Sequence, residues 1–299
     1  MFLSNPFWSA KPKIVVGSGN IFMQATNTNS LYNLDANVIT GSTAANPGYT
    51  TVMGGGDGAG SGWLMGGRNN SNQSVTTNRK YSFASDSTTN MTALTVAMSQ
   101  GGCTGNSTQF LMYSGQYNTG TSGAPSIIYL YASNTYAGGA AAARLAVNGP
   151  GAAGNATIGV FAGRSGTSPN TDIYTYASNT TSGGTSTGLA NAYMSGAGNT
   201  TDGYFGLGVT ATTTFPPNVA VYNYAGNTVR AGSNLTYGGQ TAAAAGTATG
   251  SAWLGGSTTG PAIRTTALYR YSDDAVSSGT ALQQPDQGMC AVSDNPGNF

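Results

Sequence analysis

The sequence predicts an all-β fold, specifically a six-bladed β-propeller of four-stranded antiparallel blades. Three observations predict it. Short phrases recur along the chain at intervals of 45 to 49 residues, which is the period of a propeller blade. The composition disfavours helices, since 46 residues are Gly and only 6% are charged. The chain also begins and ends on phrases that complement each other.

The most regular phrase is Tyr-x-aromatic-x-x-Asn/Asp, as in "IYLYASNTYAGG" from Ile128 and "IYTYASNTTSGG" from Ile173. Alternation along a strand places both aromatic rings on one face. The Asn or Asp that follows suits a turn, where its short side chain can bond the backbone two residues on. We name this predicted strand C. Its six copies begin at Tyr32, Tyr81, Tyr129, Tyr174, Tyr222 and Tyr269, and the first is weaker because Leu34 replaces the second ring.

Two other phrases also occur six times each. Strand B carries large apolar residues and ends in Gly; it reads "IVVGSG" from Ile14, "GWLMGG" from Gly62, "FLMYSG" from Phe110, "GVFAGR" from Gly159, "YFGLG" from Tyr204 and "AWLGG" from Ala252. Strand A carries small residues and is predicted innermost; it reads "TTVMGG" from Thr50, "LTVAMS" from Leu94, "RLAVNG" from Arg144, "LANAYMSG" from Leu189, "TAAAAG" from Thr241 and "MCAVSD" from Met289. A segment rich in Thr, Ser and Gly, strand D, completes each blade.

The two ends of the chain predict how the propeller closes. The first phrase is a B strand and the last is an A strand. Pairing of the C-terminal strand with the N-terminal strands would complete a sixth blade and hide open sheet edges. Residues 14–299 are therefore predicted to form the propeller, and residues 1–13 an N-terminal arm.

At the level of these phrases the chain resembles the kelch repeat, best in "AWLGG…ALYRY…SGTAL…GMCAV" from Ala252. The resemblance covers the chain from about Ile14 onward. The Arg that opens strand A in that family is missing from most copies. Leu stands where the family has Trp at the end of strand D, at Leu94, Leu145, Leu189, Leu235 and Leu282.

The residue inventory excludes several enzyme classes. With no His in the chain, neither the site of kelch-like copper radical oxidases nor a Ser-His-Asp or Cys-His arrangement can be built. With no Glu, the site that six-bladed sialidases use is incomplete. The adjacent Asp273 and Asp274 would point to opposite faces of a strand, so they are interpreted as turn residues with solvated carboxylates. We predict no catalytic residues and no enzyme activity.

Cofactor and metal sites are also not predicted. Asp35, Asp57, Asp202 and Asp294 could bind Ca²⁺ together with carbonyl groups, but no D-x-D-x-D-G loop is present. The Gly-rich "GGGDGAG" lacks the Lys and the helix of a phosphate-binding loop. Cys103 and Cys290 are predicted to be free thiols, because they fall in blades too far apart for a disulfide.

The N-terminal arm supplies the predicted partner-binding residues, Phe2, Leu3, Phe7 and Trp8. They lie outside the repeat. Either they fold back onto one face of the propeller, or their aromatic side chains anchor the chain in another protein. The opening segment has no signal-peptide pattern, no stretch is long and apolar enough for a membrane helix, and no basic patch indicates nucleic acid.

The expected function is a non-enzymatic structural component of a bacteriophage virion, as a tail or capsid-surface appendage, located on the extracellular particle. The reasons are the charge-poor surface rich in Gly, Ser, Thr and Asn, the resemblance to propeller modules of phage particles, and the lack of a catalytic arrangement. Expected partners are other virion proteins, with host surface glycans as further ligands. The alternatives are a secreted carbohydrate-binding lectin and a polysaccharide-degrading enzyme.

Overall fold

The computed structural model describes residues 13–17, 29–33, 37–42, 49–69, 71–113, 115–117, 121–122, 126–141, 149–163, 169–258, 262–282 and 288–293. Within these ranges the chain forms strands and turns, with no helix. The first three strands are β1 Lys13–Gly17, β2 Asn29–Asn33 and β3 Val38–Ser42.

Five four-stranded antiparallel blades follow along the chain. Blade I holds β4 Met53–Gly56, β5 Ser61–Met65, β6 Asn78–Ser82 and β7 Ser87–Asn90. Blade II is preceded by β8 Met98–Ser99; it holds β9 Gly102–Gly105 and β10 Gln109–Tyr113, then, after β11 Gln116–Tyr117 and β12 Thr121–Ser122, β13 Ile127–Leu130 and β14 Thr135–Gly138. The short strands β8, β11 and β12 form a separate three-stranded sheet.

Within the described residues, blades III, IV and V hold no further named strand. Blade III holds β15 Gly151–Gly154, β16 Ile158–Ala162, β17 Thr171–Thr175 and β18 Thr180–Gly183. Blade IV holds β19 Ser195–Gly198, β20 Asp202–Gly206, β21 Val219–Asn223 and β22 Thr228–Ala231. Blade V holds β23 Ala243–Gly246, β24 Gly250–Leu254, β25 Thr266–Arg270 and β26 Ala275–Ser278.

The propeller of four-stranded antiparallel blades is therefore confirmed, but the described structure shows five blades and not the predicted six. The last strand, β27 Cys290–Ser293, pairs with β1 in a further sheet of order β27-β1-β2-β3. We call it the terminal sheet. All four side chains of β27 are buried.

The innermost strands lie later in the chain than predicted in several blades. The phrases "LTVAMS" and "LANAYMSG" run into or precede the inner strand, which is formed by the Gly- and Ala-rich segments GCTG in blade II and SGAG in blade IV. In blade III the inner strand is GAAG, after the segment predicted for it. The reason is steric, since the innermost strands of neighbouring blades contact one another and leave no room for Leu or Tyr.

The core lies between the blades, as the large residues of strands B and C predict. Across three blade interfaces an aromatic ring of one blade stacks on a ring of the next with centroids 4.1 to 4.8 Å apart. The pairs are Trp63 with Tyr131, Tyr113 with Phe161, and Tyr204 with Tyr271. Stacking of this kind adds about 1 kcal/mol to the burial of the rings.

Candidate functional site

The propeller axis is lined by small side chains. In all five inner strands the second residue is partly exposed while the other three are buried, so that the second residue faces the axis. These residues are Gly54, Cys103, Ala152, Gly196 and Ala244. The narrow part of the channel holds about 40 Å³ of water-accessible space, and its lining contains no charged side chain. This part of the axis can admit water, and the one titratable side chain among its lining residues is the thiol of Cys103.

At one end of the axis, six chain segments are joined in a circle by backbone hydrogen bonds. Each segment donates one N–H to a carbonyl of the neighbouring segment, at 2.5 to 3.4 Å. We name the six residues at these positions the axial ring: Thr51, Gln100, Gly149, Tyr193, Thr241 and Gly288. Five of the six donors belong to the axial ring itself, and the sixth is the neighbouring Met194. The six segments are therefore held together by backbone hydrogen bonds, and these bonds do not involve the side chains of the axial ring.

A pocket opens at the axial ring, which we name the axial pocket. It holds about 90 Å³ of water-accessible space. Its lining consists of the axial ring and the residue after each ring position, namely Val52, Gly101, Pro150, Met194, Ala242 and Met289. None of these side chains carries a charge. The pocket thus combines an apolar floor with hydroxyl, amide and phenol groups, a combination typical of sites for neutral ligands.

The turns between strands A and B lie at the opposite end of the axis. In three blades an Asn-x-Thr triplet forms this turn, and the Asn Oδ1 accepts two backbone N–H groups and the Thr hydroxyl. The three residues are Asn106, Asn155 and Asn199. The Asn106 and Asn155 amides also donate to carbonyls of the next turn, at 3.2 and 3.3 Å. The three triplets therefore act as turn caps, and those at Asn106 and Asn155 also join neighbouring blades.

The Tyr and Asn of the strand C phrase form a contact that we name the outer latch. The Tyr174 hydroxyl donates to Asn179 Oδ1 at 2.6 Å, and the same oxygen accepts the backbone N–H of Ala140 in the preceding blade. Asn134 does the same for Tyr129 and the N–H of Thr92. A corresponding bond joins Tyr222 to Asn227, which accepts the N–H of Thr185. The phrase thus holds neighbouring blades together.

The predicted turn at Asp273 and Asp274 is confirmed, because both follow β25 within a turn. Asp274 pairs with Arg230 of the preceding blade, and Asp273 with Arg270. Burial raises the pKa of Asp274, but Arg230 and the Tyr269 hydroxyl outweigh it, so the net pKa is lowered. The Arg270 hydrogen bond lowers the pKa of Asp273. Both carboxyls are ionised at neutral pH, whereas a general acid needs a raised pKa.

Neither Cys103 nor Cys290 forms a disulfide, as predicted. Burial, with a smaller effect of the nearby Cys290, raises the pKa of Cys103 well above its usual value. Because the thiolate is the reactive species, Cys103 is not activated as a nucleophile, although it lines the channel.

The arm residues Phe2, Leu3, Phe7 and Trp8 lie outside the described residues, as do Asp35 and Asp294. Asp57 and Asp202 are described: the Asp57 carboxylate caps its turn, and the Asp202 carboxylate accepts from Asn223. Across the described ranges, no three Cys or Asp side chains cluster where they could share a metal ion. In the same ranges, no helix has the length and apolar character needed to span a bilayer.

Sequence reasoning missed the axial ring. Only Gly149 and Gly288 carry the local sign of an unusual backbone, and the other four positions are ordinary residues. No family model and no curated protein matches this sequence. The kelch and phage resemblances gain no support from these comparisons.

Proposed function

We propose that this chain is a non-enzymatic structural component of a bacteriophage virion, a tail or capsid-surface appendage that also contacts host-surface glycans. The observation that carries the proposal is how the repeated polar side chains are used. The Tyr–Asn phrase and the Asn-x-Thr triplets make contacts between blades. The exposed D strands present mainly Ser, Thr and small residues. A rigid, charge-poor disc of this kind suits an assembled extracellular particle.

The arm is proposed as the docking element, with Phe2, Leu3, Phe7 and Trp8 entering a pocket on another virion protein. The test is deletion of residues 1–13, followed by mass spectrometry of density-gradient-purified particles. We expect the deleted chain to stay folded but to be missing from the particles. The paired variant is Phe7→Ala with Trp8→Ala, which keeps the arm and removes its two neighbouring aromatic anchors. Particles that retain both variants at full occupancy would contradict docking, and a full-length chain absent from particles would contradict the virion role.

We further propose that the terminal sheet is the sixth blade and closes the propeller. Three contacts support this. The inner strand β27 contacts both β4 and β23, the inner strands of blades I and V. The axial ring runs through Gly288, which precedes β27, and returns to Thr51. The N–H of Thr280 donates to Asn37 Oδ1 at 2.7 Å, the geometry of the outer latch.

Closure is tested by truncation. Removal of residues 289–299 deletes β27 and should abolish cooperative thermal unfolding, because blades I and V then expose the inner surfaces that β27 covers. Removal of 294–299 alone is the control and should leave the melting temperature within a few degrees. An unchanged melting curve after the longer deletion would rule out the closed six-bladed ring.

The second candidate is a secreted lectin. The axial pocket favours it, since its lining is neutral and includes an aromatic ring. The two candidates differ in the particle experiment, because a free lectin stays in the supernatant.

A further inference from the structure

The axial ring is strained at the backbone. All six residues have positive φ, from 51° at Thr51 to 67° at Gly149. This left-handed region favours Gly, and a β-branched or bulky residue there is an outlier. Yet Thr51, Gln100, Tyr193 and Thr241 occupy four of the six positions.

The ring itself shows that Gly fits this geometry. Gly149 and Gly288 take the same role in the same circle of hydrogen bonds as the four strained residues. Strained backbone persists where the surrounding structure enforces it, and it clusters at functional sites. Gly at these four positions would give a less strained backbone. We therefore expect the four side chains to have a role that offsets the strain.

What the four side chains share is the axial pocket, which all of them line. Together they bring two hydroxyls, one amide and one phenol ring. The Thr241 hydroxyl donates to the Gln240 carbonyl at 2.6 Å, so its oxygen can act only as an acceptor toward a ligand. The Thr51 hydroxyl oxygen is shielded from solvent, so it lies behind the pocket surface and is assigned no direct ligand contact. The Tyr193 ring lies beside Gly149, where an added Cβ would come within 2.7 Å of its Cδ1 atom. Gly149 thus leaves the space that the ring occupies.

We propose that the axial pocket binds one neutral sugar residue, with the pyranose ring against Tyr193 and its hydroxyls bonded to the Gln100 amide and to the Thr241 hydroxyl oxygen. The absence of charge in the lining selects a neutral ligand over a sialic acid or an amino sugar. An aromatic ring next to short hydroxyl and amide groups matches the two kinds of surface that a pyranose presents, C–H faces and hydroxyl edges. This deepens the glycan part of the proposed function and does not depend on assembly into a particle.

The test uses the isolated full-length chain and saturation-transfer NMR. The probes are the methyl glycosides of glucose, mannose and galactose, and N-acetylglucosamine, with sialic acid and glucosamine as charged comparisons. We expect at least one neutral probe to bind with Kd on the order of 1 mM, and the charged sugars not to bind. Tyr193→Gly should weaken binding at least tenfold while the melting temperature stays the same or rises, because strain is relieved.

Thr213→Gly is the matched control. Thr213 has φ 60° in an exposed loop and does not line the axial pocket. This variant also relieves strain, so it should keep or raise the melting temperature and leave sugar binding unchanged. Gln100→Gly is the second variant at the ring and should weaken binding as Tyr193→Gly does.

Each other result overturns the proposal. If none of the neutral probes binds, the axial pocket is not a site for a neutral sugar. Binding that survives both ring variants would place the sugar elsewhere. Loss of folding in both ring variants would show that their side chains support the fold, which explains the strain without a ligand. None of these results changes whether the chain is found in particles, so the two proposals fail separately.

Discussion

The inner and outer edges of each blade interface are held in opposite ways. At the inner edge the strands approach so closely that only small side chains fit, and Gly, Ala or Cys stands at the second position of each described inner strand. At the outer edge the blades have spread apart, and the outer latch bridges the gap with a Tyr hydroxyl and an Asn amide. The inner contact therefore depends on residues with small or no side chains, and the outer contact depends on the Tyr hydroxyl and the Asn amide. Substitutions at the two edges should differ in size and kind.

The largest effect is expected at Gly196, on the inner strand of blade IV. A Cβ there would lie 2.4 Å from the carbonyl oxygen of Ala152 in blade III and 2.7 Å from its nitrogen. Because both atoms are backbone, the inner strands must separate, and Gly196→Ala should destabilise the protein by about 3 kcal/mol. Denaturant unfolding measures this.

Gly138→Ala is the control for that comparison. Gly138 lies on the outer strand β14, and a Cβ there has no neighbour within 4 Å. This variant should be about 0.5 kcal/mol more stable through loss of chain entropy in the unfolded state. Equal effects at Gly138 and Gly196 would contradict the account of the inner edge.

The next effect is expected at the outer latch, with Asn179. Asn179→Ala removes the acceptor for Tyr174 and Ala140 and places Ala at φ 50°, which should destabilise by about 2 kcal/mol. Asn179→Gly removes the same bonds without the backbone strain and should be about 1 kcal/mol less damaging. Identical unfolding free energies for the two variants would show that strain plays no part.

Alkaline pH should weaken the latch further. Burial raises the pKa of Tyr174 to about 12, whereas in the unfolded chain it is about 10. Between pH 10 and pH 12 the Tyr174 hydroxyl of the unfolded chain loses its proton before that of the folded chain. The contribution of this hydroxyl to stability is therefore full below pH 10 and is lost as pH rises through 12. Tyr174→Phe lacks this titration. The stability gap between the two proteins should narrow from pH 9 to pH 12, and a constant gap would contradict the assignment.

The smallest effect is expected at the ion pair that modifies one latch. Arg230 is half exposed, so its pair with Asp274 should contribute about 0.5 kcal/mol. Asp274→Asn keeps an acceptor for Tyr269 and reproduces the Asn that stands at this position in blades II, III and IV.

The pH profile sharpens this prediction. The lowered pKa of Asp274 gives stability above the unfolded value near 4, which is lost as pH falls through the folded pKa. The Asn variant should therefore show a weaker salt dependence and a flatter acid limb in thermal unfolding. A large loss of stability at pH 7 would mean that the charge matters more than the hydrogen bond.

Much of the strand pattern could be predicted because it depends on neighbouring residues. Tyr174 and Tyr176 share a face because strand geometry repeats every second residue, and both are buried. Asn179 lies in the turn with φ 50° because Asn tolerates that conformation. What the pattern did not indicate is that Asn179 also reaches Ala140, since the preceding blade is far away in the chain.

The candidate site was less predictable than the strands. The axial ring combines residues from six distant segments, and Thr51, Gln100, Tyr193 and Thr241 have no preference for positive φ. Their conformation is imposed by hydrogen bonds between segments. The innermost strands likewise lie later in the chain than the phrases predicted for them. Apolar residues in those phrases indicate that they are buried, but they do not indicate how closely neighbouring strands approach.

The sequence by itself determines the repeating unit, its turns and its large buried residues. Each of these depends on alternation along a strand and on residue preferences within about ten positions. The tertiary structure alone set which small residues face the axis, where the backbone is strained and which groups line the axial pocket. The physical reason is that crowding at the axis follows from how the blades meet, and the packing of one blade against the next is a property of no single stretch of chain.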